Sequence, residues 1–232
     1  MPVVDVDPDE LRELTGHEDI GDDELREDLF NLGLEYEGET EDGDFQLEFA
    51  PDRLDRLSVE GIARSLRYQY GDDRGVYVPA TTDPDWTIEV DATPPERPYV
   101  TGAVVRGLDL SEDALDSLIQ LQEKLHATMG RTRAKGAIGV HDLTMLKGRA
   151  ATAEDDEEFQ KSVRYTSADP DGEPFVPLEG DREMTPAEVT AEHHIGQEYA
   201  DLVAGMDRVP AIYDDIGLFS FPPVINGKRT EV

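Results

Sequence analysis

The sequence has 232 residues, of which 54 are Asp or Glu and 21 are Lys or Arg, giving a formal net charge of −33. It contains no cysteine, which excludes disulfide bonds and thiolate metal sites. The N-terminus has no basic and apolar signal regions, and no apolar run approaches the roughly 18 residues of a membrane span. We therefore expect a cytoplasmic protein without membrane contact.

The acidic residues are spread along the whole chain rather than collected in blocks. Such a surface is typical of adaptation to high salt, where ions screen charges over about 3 Å at 1 M and remove self-repulsion. A second interpretation, an acidic protein that binds basic partners, stays open. The length predicts one large domain or two small ones.

The first 71 residues predict a compact α+β unit. A short strand, VVDV, precedes a helix that begins at Asp7 and Pro8. A second helix, DDELREDLFN, ends near Gly33, and a half-buried strand follows at 45–49, where Phe and Leu alternate with Gln and Glu. A third helix, within DRLDRLSVEGIARSLRYQYG, ends at Gly71.

Several prolines and a lone Trp86 between residues 72 and 97 indicate a linker. We predict an N-terminal α+β module at 1–85, a linker at 86–97 and a second domain with a mixed α/β-sheet at 98–232. In the second domain we expect helices capped by Ser111 and Thr185. Strands are expected in RPYVTGAVVRGLDL, AKGAIGVHDL and VPAIYDDIGLFSFPPVING, and an acidic solvated stretch at 150–162.

The predicted helix after Ser111 carries polar side chains on its apolar face. On a helical wheel the apolar stripe consists of Leu115, Leu118, Ile119, Leu125 and Met129. Gln122 and His126, four residues apart, fall inside this stripe. Two polar groups on a buried face are expected to contact each other or to line a pocket.

One basic segment interrupts the acidic sequence: residues 120–149 hold six Lys or Arg against two acidic residues. Arg131, Arg133 and Lys135 follow the predicted helix end at Gly130. They could complement the helix dipole, which needs one or two cations in the last turn. They could instead contact phosphates of a polyanion. Because they continue past the helix end, we favour the second interpretation without excluding the first.

Other motifs carry less information. The sequence lacks a phosphate-binding glycine loop, an HExxH helix and a calcium loop, so no metal site is predicted. His193 and His194 are adjacent, and we expect them to point apart on the surface. Ser220 precedes two prolines that suit a pocket wall, whereas Asn226 and Gly227 read as a turn.

Four segments provide a family resemblance: FAPDRLDRLSVEGIARSL, RPYVTGAVVRG, LIQLQEKLHATMGRTRAKGAIGVHDL and PAIYDDIGLFSFPPVING. In this order and spacing they closely resemble the N-terminal part of the beta subunit of phenylalanyl-tRNA synthetases of the archaeal and eukaryotic type. The acidic surface suggests a haloarchaeal member. Beta chains of this family continue further, so the resemblance implies a fragment whose second domain is truncated at its C-terminal side.

The resemblance implies that residues 98–232 form an editing domain that hydrolyses mischarged tyrosyl-tRNA(Phe), while ligation takes place in the alpha subunit of an alpha/beta heterotetramer. The implied partners are that alpha subunit and tRNA(Phe). No cofactor is expected in this segment, since ATP and magnesium serve the holoenzyme. The alternative function is a non-catalytic RNA-binding or subunit-assembly module.

An editing site must accept tyrosine and reject phenylalanine, which lacks the hydroxyl that would pair with a buried polar group. No catalytic residue is assigned, because a positioned water is expected to attack the ester without a covalent nucleophile. The candidates for tRNA phosphate contact are Arg131, Arg133 and Lys135. The candidates for lining the editing pocket are Gln122, His126, His141, Asp142, Ser220, Pro222 and Asn226.

Overall fold

The computed structural model describes residues 2–50, 53–76, 78–150 and 161–232. The chain divides into two compact units, one formed by Met1–Ala80 and Asp109–Lys135 and the other by Thr81–Leu108 and Gly136–Val232. Both units combine helices with a sheet, which confirms the predicted α+β class. Within the described ranges, no helix has both the length and the apolar character needed to cross a bilayer.

The first unit is built on a three-stranded antiparallel sheet in the order β1, β3, β2. As predicted, the carboxylate of Asp7 caps the first helix by accepting hydrogen bonds from two of its N–H groups. The third helix ends, also as predicted, at Gly71, whose backbone is left-handed. Its elements are β1 (Val3–Val6), α1 (Pro8–Thr15), α2 (Asp22–Asn31), β2 (Leu34–Glu39), β3 (Phe45–Phe49), a 3₁₀ turn (Leu54–Arg56), α3 (Val59–Tyr70) and α4 (Glu112–Ala127).

Helix α4 packs in the first unit, although the sequence predicts it in the second domain. The Gln120 side chain donates to the carbonyl of Asp5 at 3.0 Å and accepts from its N–H at 2.9 Å, like an added strand residue at β1. Leu121 and Leu125 pack against the core of the first unit. These contacts place residues 109–135 with the first unit and move the predicted domain boundary.

The buried face of α4 also differs from the predicted stripe. Ile119 is 51% exposed and Met129 is 60% exposed, whereas His126 is buried at 4% and Gln122 is half-buried. The helix turns the side with Leu121 toward the core because that side also carries Gln120 and Ser117, whose side chains find polar partners there. The core-facing side of α4 therefore combines apolar packing by Leu121 and Leu125 with polar contacts of Gln120 and Ser117.

The second unit contains a six-stranded sheet with the path β4, β6, β7, β8, β9, in which β5 pairs with β6. Strand β4 runs parallel to β6, and the other pairs are antiparallel. Thr185 caps α5 through a capping box, as its sequence predicts. The elements are β4 (Trp86–Val90), β5 (Arg149–Ala150), β6 (Lys161–Ala168), α5 (Pro186–Glu192), α6 (His194–Glu198), β7 (Val209–Tyr213), β8 (Leu218–Phe221) and β9 (Ile225–Asn226), with 3₁₀ turns at Ala200–Leu202 and Lys228–Thr230.

Three predictions for the second unit are wrong. Strand β4 lies inside the predicted linker 86–97 and belongs to the sheet. Residues 98–110 and 134–143, all described, form no strand, because β-branched residues do not make a ladder unless a neighbouring strand is in register. His193 and His194 stack with their ring centroids 4.7 Å apart rather than pointing apart. Most of the predicted acidic stretch, residues 151–160, lies outside the described residues.

Candidate functional site

A polar pair lies on the β8 and β9 hairpin of the second unit. Ser220 and Asn226 face each other in register across the two strands. The Ser220 hydroxyl, only 2% exposed, donates to Oδ1 of Asn226 at 2.8 Å. Pro222 lies in the turn that joins the strands, where the Pro222–Pro223 peptide is cis and the N–H of Val224 donates to the carbonyl of Phe221. The hairpin thus brings two of the predicted pocket residues into contact.

His141 joins this cluster from a segment without regular secondary structure. Its Nδ1 lies 2.8 Å from Oγ1 of Thr230, and its ring meets Phe219 edge-on at 5.1 Å. The Thr230 hydroxyl donates its own proton to the carbonyl of Gly227, so it accepts from Nδ1–H of His141. The second ring nitrogen, Nε2, is then an acceptor.

The imidazole of His141 is neutral at physiological pH. Burial lowers the pKa of His141 to about 4 because desolvation disfavours the charged ring. A neutral ring with an unprotonated Nε2 can accept a hydrogen bond from a hydroxyl or from a water molecule. It therefore suits the recognition of a phenol better than the binding of an anion.

Gly139 packs closely against the polar ends of His141 and Asn226. A Cβ atom at residue 139 would lie 3.0 Å from Nε2 of His141 and 3.1 Å from Oδ1 of Asn226. These separations are shorter than ordinary van der Waals contacts, so a side chain at residue 139 would crowd both polar groups. Neither Gly139 nor Thr230 belongs to a sequence motif that would predict a site. The only signal for Gly139 is its position two residues before His141.

Asp142 has a different role from its neighbour. Its Oδ1 accepts hydrogen bonds from the N–H and the hydroxyl of Thr144, both at 2.8 Å, and these bonds lower the pKa of the carboxyl. Its backbone N–H donates to the carbonyl of Thr230 at 3.0 Å. Asp142 thus shapes the turn after His141, and its carboxylate is engaged there.

The remaining candidates lie in the first unit. Gln122 and His126 are on α4, and Nδ1 of His126 lies 3.2 Å from a carboxylate oxygen of Glu123. Their assignment to the editing pocket stays a prediction. Arg131, Arg133 and Lys135 follow α4, whose last turn already holds Lys124 as a dipole-compensating cation.

A buried ion pair joins the chain just before the β8 and β9 hairpin to the chain just after it. The carboxylate of Asp214, whose side chain is 0% exposed, receives both Nη atoms of Arg229 at 2.8 and 3.0 Å. It also accepts from the N–H groups of Lys147, Ile216 and Gly217. Burial alone would raise the pKa of Asp214, but these hydrogen bonds and the guanidinium charge lower it. The pair ties the Lys228–Thr230 turn to the turn between β7 and β8, and the N–H of Lys147 ties the segment before β5 to the same carboxylate.

A cleft of about 420 Å³ opens elsewhere on the second unit. Its lining includes Glu89, Glu173 and Arg164, and the guanidinium of Arg164 stacks 5.3 Å from the ring centroid of Tyr213. Glu173 accepts from the N–H of Leu218, and the Asp214 carboxylate in the wall is saturated by the partners described above. We place the candidate site at the hairpin cluster, where the imidazole of His141 and the amide of Asn226 both approach Gly139.

Three glutamates in the first unit are close enough together to hold a cation. Ligand oxygens of Glu35, Glu37 and Glu48 lie within 4.8 Å of one another. Two of these residues are exposed, and the chain has 54 acidic residues, so close carboxylates are expected by density alone. This group gives no reason to assign a metal.

The chain is similar to known proteins over its whole length. It is 75% identical over 232 residues to the phenylalanine–tRNA ligase beta subunit of Haloarcula marismortui, covering 39% of that protein. It is 71% identical to the beta subunit of Halobacterium salinarum, covering 41%. No protein-family model matches. The chain thus spans about two fifths of the length of these curated relatives.

The fold gives the same result. A crystal structure of an N-terminal fragment of the phenylalanyl-tRNA synthetase beta subunit from Pyrococcus horikoshii superposes with a TM-score of 0.86 and 30% identity, over 100% of this chain and 64% of that one. The resemblance of the four sequence segments is confirmed, and so is the haloarchaeal affinity. In sequence and in fold, the chain belongs to the phenylalanine–tRNA ligase beta subunit family, in which it corresponds to the N-terminal part of the subunit.

Proposed function

We propose that this chain is the part of a phenylalanine–tRNA ligase beta subunit that carries an editing site, and that the site hydrolyses tyrosyl-tRNA(Phe). The observation that carries the proposal is the convergence of His141, Ser220 and Asn226 around Gly139. Membership of this family indicates which error would need correction: a ligase for phenylalanine must reject tyrosine. The two amino acids differ by one hydroxyl group.

The cluster can recognise that hydroxyl by complementary hydrogen bonds. Nε2 of His141 accepts, and Nδ2 of Asn226 donates; the Ser220 bond to Oδ1 orients the amide. A phenol both donates and accepts, so it satisfies the two groups at once. Phenylalanine would leave them desolvated and unpaired, at a cost of about 1–3 kcal/mol for each group.

The expected chemistry is ester hydrolysis by a positioned water. The protein would contribute orientation of the substrate and polarisation of the carbonyl rather than a covalent nucleophile. In the assembled enzyme we propose an alpha subunit as the partner that carries out ligation with ATP and magnesium. We also propose that the basic residues after α4 contact the tRNA, because Arg131 and Lys135 are exposed on a chain that is otherwise strongly acidic.

The test is deacylation by the full-length beta subunit in complex with its alpha subunit, at high KCl. The wild-type complex should hydrolyse tyrosyl-tRNA(Phe) and leave phenylalanyl-tRNA(Phe) intact. Asn226→Ala and His141→Ala should slow hydrolysis of the tyrosyl ester at least tenfold, because each removes one partner of the phenol. Ligation of phenylalanine serves as the control and should be unchanged.

Two outcomes would contradict the proposal. Absence of tyrosyl-tRNA(Phe) hydrolysis by the wild-type complex would remove the editing function and leave the alternative, a non-catalytic RNA-binding or assembly module. Full hydrolysis by both variants would place the editing site elsewhere in the subunit. Melting temperatures of the variant complexes separate loss of recognition from loss of folding.

A further inference from the structure

The turn after α4 has an unusual backbone. Arg131, Thr132 and Arg133 are three successive residues in the left-handed region, with φ angles of 49°, 53° and 63°. Side chains other than glycine disfavour this region, because Cβ approaches the backbone carbonyl. Hydrogen bonds from the N–H of Lys135 to Gly130 (2.7 Å) and of Ala134 to Arg131 (3.1 Å) close the turn. Such a conformation persists only where its surroundings fix it.

A carboxylate on α4 provides that fixation. One oxygen of Glu123 accepts from Nη2 of Arg133 at 3.1 Å and lies 3.2 Å from Nδ1 of His126. The backbone N–H of Arg133 also donates to the carbonyl of His126 at 3.4 Å. The His126 side chain is only 5% exposed, so it anchors Glu123 to the body of the first unit. Arg133 is thereby held at both its backbone and its guanidinium.

The three cationic side chains of the turn therefore differ in how accessible they are to a phosphate in solvent. The Arg133 side chain is 14% exposed and is engaged by Glu123. Arg131 and Lys135 flank it, and both are exposed. A phosphate approaching from solvent meets these two residues, whereas it would have to displace a carboxylate to bind Arg133.

We propose that Arg131 and Lys135 bind the phosphate backbone of tRNA, and that Arg133, held by Glu123 and His126, is a positioning residue that presents them. The proposal rests on the proposed function in taking tRNA(Phe) as the ligand. A rigid turn lowers the entropy lost when two long side chains are ordered on a phosphate. This matters for a protein that works at high salt, where each phosphate contact gains less from counterion release.

The two roles predict different salt dependences. The test measures tRNA(Phe) affinity of the full-length alpha/beta complex over a range of KCl at constant magnesium. Arg131→Ala and Lys135→Ala should each lower the affinity and reduce the log–log salt slope by about 0.7–0.9, the change expected for one lost phosphate contact. Arg182→Ala, at a surface arginine of the second unit that is 48% exposed, is the control and should change neither quantity.

Substitution of Glu123 separates a positioning role from a simple charge effect, because the two predict opposite changes in tRNA affinity. Simple electrostatics predicts that Glu123→Gln binds the polyanion more tightly, because an acidic charge is removed beside it. Positioning predicts that the same change weakens binding, by about threefold or more, with the salt slope unchanged. Arg133→Ala should behave like Glu123→Gln, and Arg133→Lys, which can still reach the carboxylate, should restore part of the affinity.

Any of three results would overturn the inference. The first is an unchanged salt slope for Arg131→Ala and Lys135→Ala, and the second is tighter tRNA binding by Glu123→Gln. The third is an Arg133→Ala variant whose salt slope falls as much as those of Arg131→Ala and Lys135→Ala. Melting temperatures and amide exchange of residues 128–136 show whether a variant is folded, and Arg133→Lys keeps the test valid if Arg133→Ala is not. Deacylation is measured separately. If the complex hydrolyses tyrosyl-tRNA(Phe) but the variants leave the salt slope of tRNA binding unaltered, only this inference is contradicted. If the variants shift the salt slope but the complex does not hydrolyse the ester, only the proposed editing function is contradicted.

Discussion

The hydroxyl of Ser220 donates a hydrogen bond of 2.8 Å to Oδ1 of Asn226, directly across the β8 and β9 pair. Because this bond turns the amide oxygen toward Ser220, it directs the donor end, Nδ2, elsewhere. The strand register therefore orients a recognition group. A shift of one residue would turn the two side chains to opposite faces of the sheet and separate them.

The coupling between these two side chains is measurable. Ser220→Ala leaves Oδ1 of Asn226 without its donor in a site where Ser220 is 2% exposed, so it should lower the free energy of unfolding by about 1–3 kcal/mol. In a double-mutant cycle with Asn226→Ala, chemical denaturation should give a coupling energy of about 1 kcal/mol. Additive effects of the two changes would show that the bond does not form in solution.

Gly139→Ala tests the close packing of His141 and Asn226 against Gly139. The new Cβ would lie 3.0 Å from Nε2 of His141 and 3.2 Å from Nδ2 of Asn226, so one of these groups must move. We expect a destabilisation of about 1–3 kcal/mol and slower hydrolysis of tyrosyl-tRNA(Phe). Gly136→Ala is the matched control, because nothing lies within 4 Å of its Cβ position. Equal behaviour of the two variants would argue against a site at Gly139.

His141 should make stability depend on pH. Its pKa is about 4 in the folded chain, against an ordinary value of 6.5, so between these values the unfolded chain binds more protons. The free energy of unfolding should fall as the pH drops from about 6.5 to about 4, by on the order of 2–3 kcal/mol. His141→Gln should flatten this part of the curve.

An NMR titration provides the direct readout for the same residue. The His141 ring signals should stay those of a neutral imidazole down to about pH 5 and shift only near pH 4. The control is His194→Gln, at a side chain that is 67% exposed, which should leave the pH dependence of stability in place. A midpoint near 6.5 for His141 would refute its burial against Thr230 and Phe219.

Arg229→Ala should destabilise the second unit strongly. It leaves the carboxylate of Asp214, 0% exposed, without its counter-charge, and breaking a buried pair on one side costs about 3 kcal/mol. Since the pKa of Asp214 is lowered, the stabilisation exists at neutral pH and disappears as the pH falls through the acid range. Arg182→Ala, at an exposed pair, should cost at most about 1 kcal/mol. Denaturant unfolding at pH 7 and at about pH 2, below the ordinary pKa of an aspartate, measures both.

The local signals in the sequence predicted much of the first unit. Asp7 and Pro8 begin α1 and Gly71 ends α3, because caps and glycine stops act within one turn of the chain. Strand β2 was not apparent, since its glutamates hide the alternation that marks a half-buried strand. In the second unit, residues 98–110 have strand-like composition but lack a strand partner.

By itself, the sequence determined the family, the α+β class, the acidic character and most helix ends, since these depend on composition, motifs and neighbouring residues. Only the tertiary structure decided that α4 packs in the first unit and that His141, Ser220 and Asn226 converge. It also separated Arg133 from Arg131 and Lys135, because Glu123 reaches only the first of them. The physical reason is common to all three: strand register, helix rotation and ion pairing depend on groups that meet only in the folded chain.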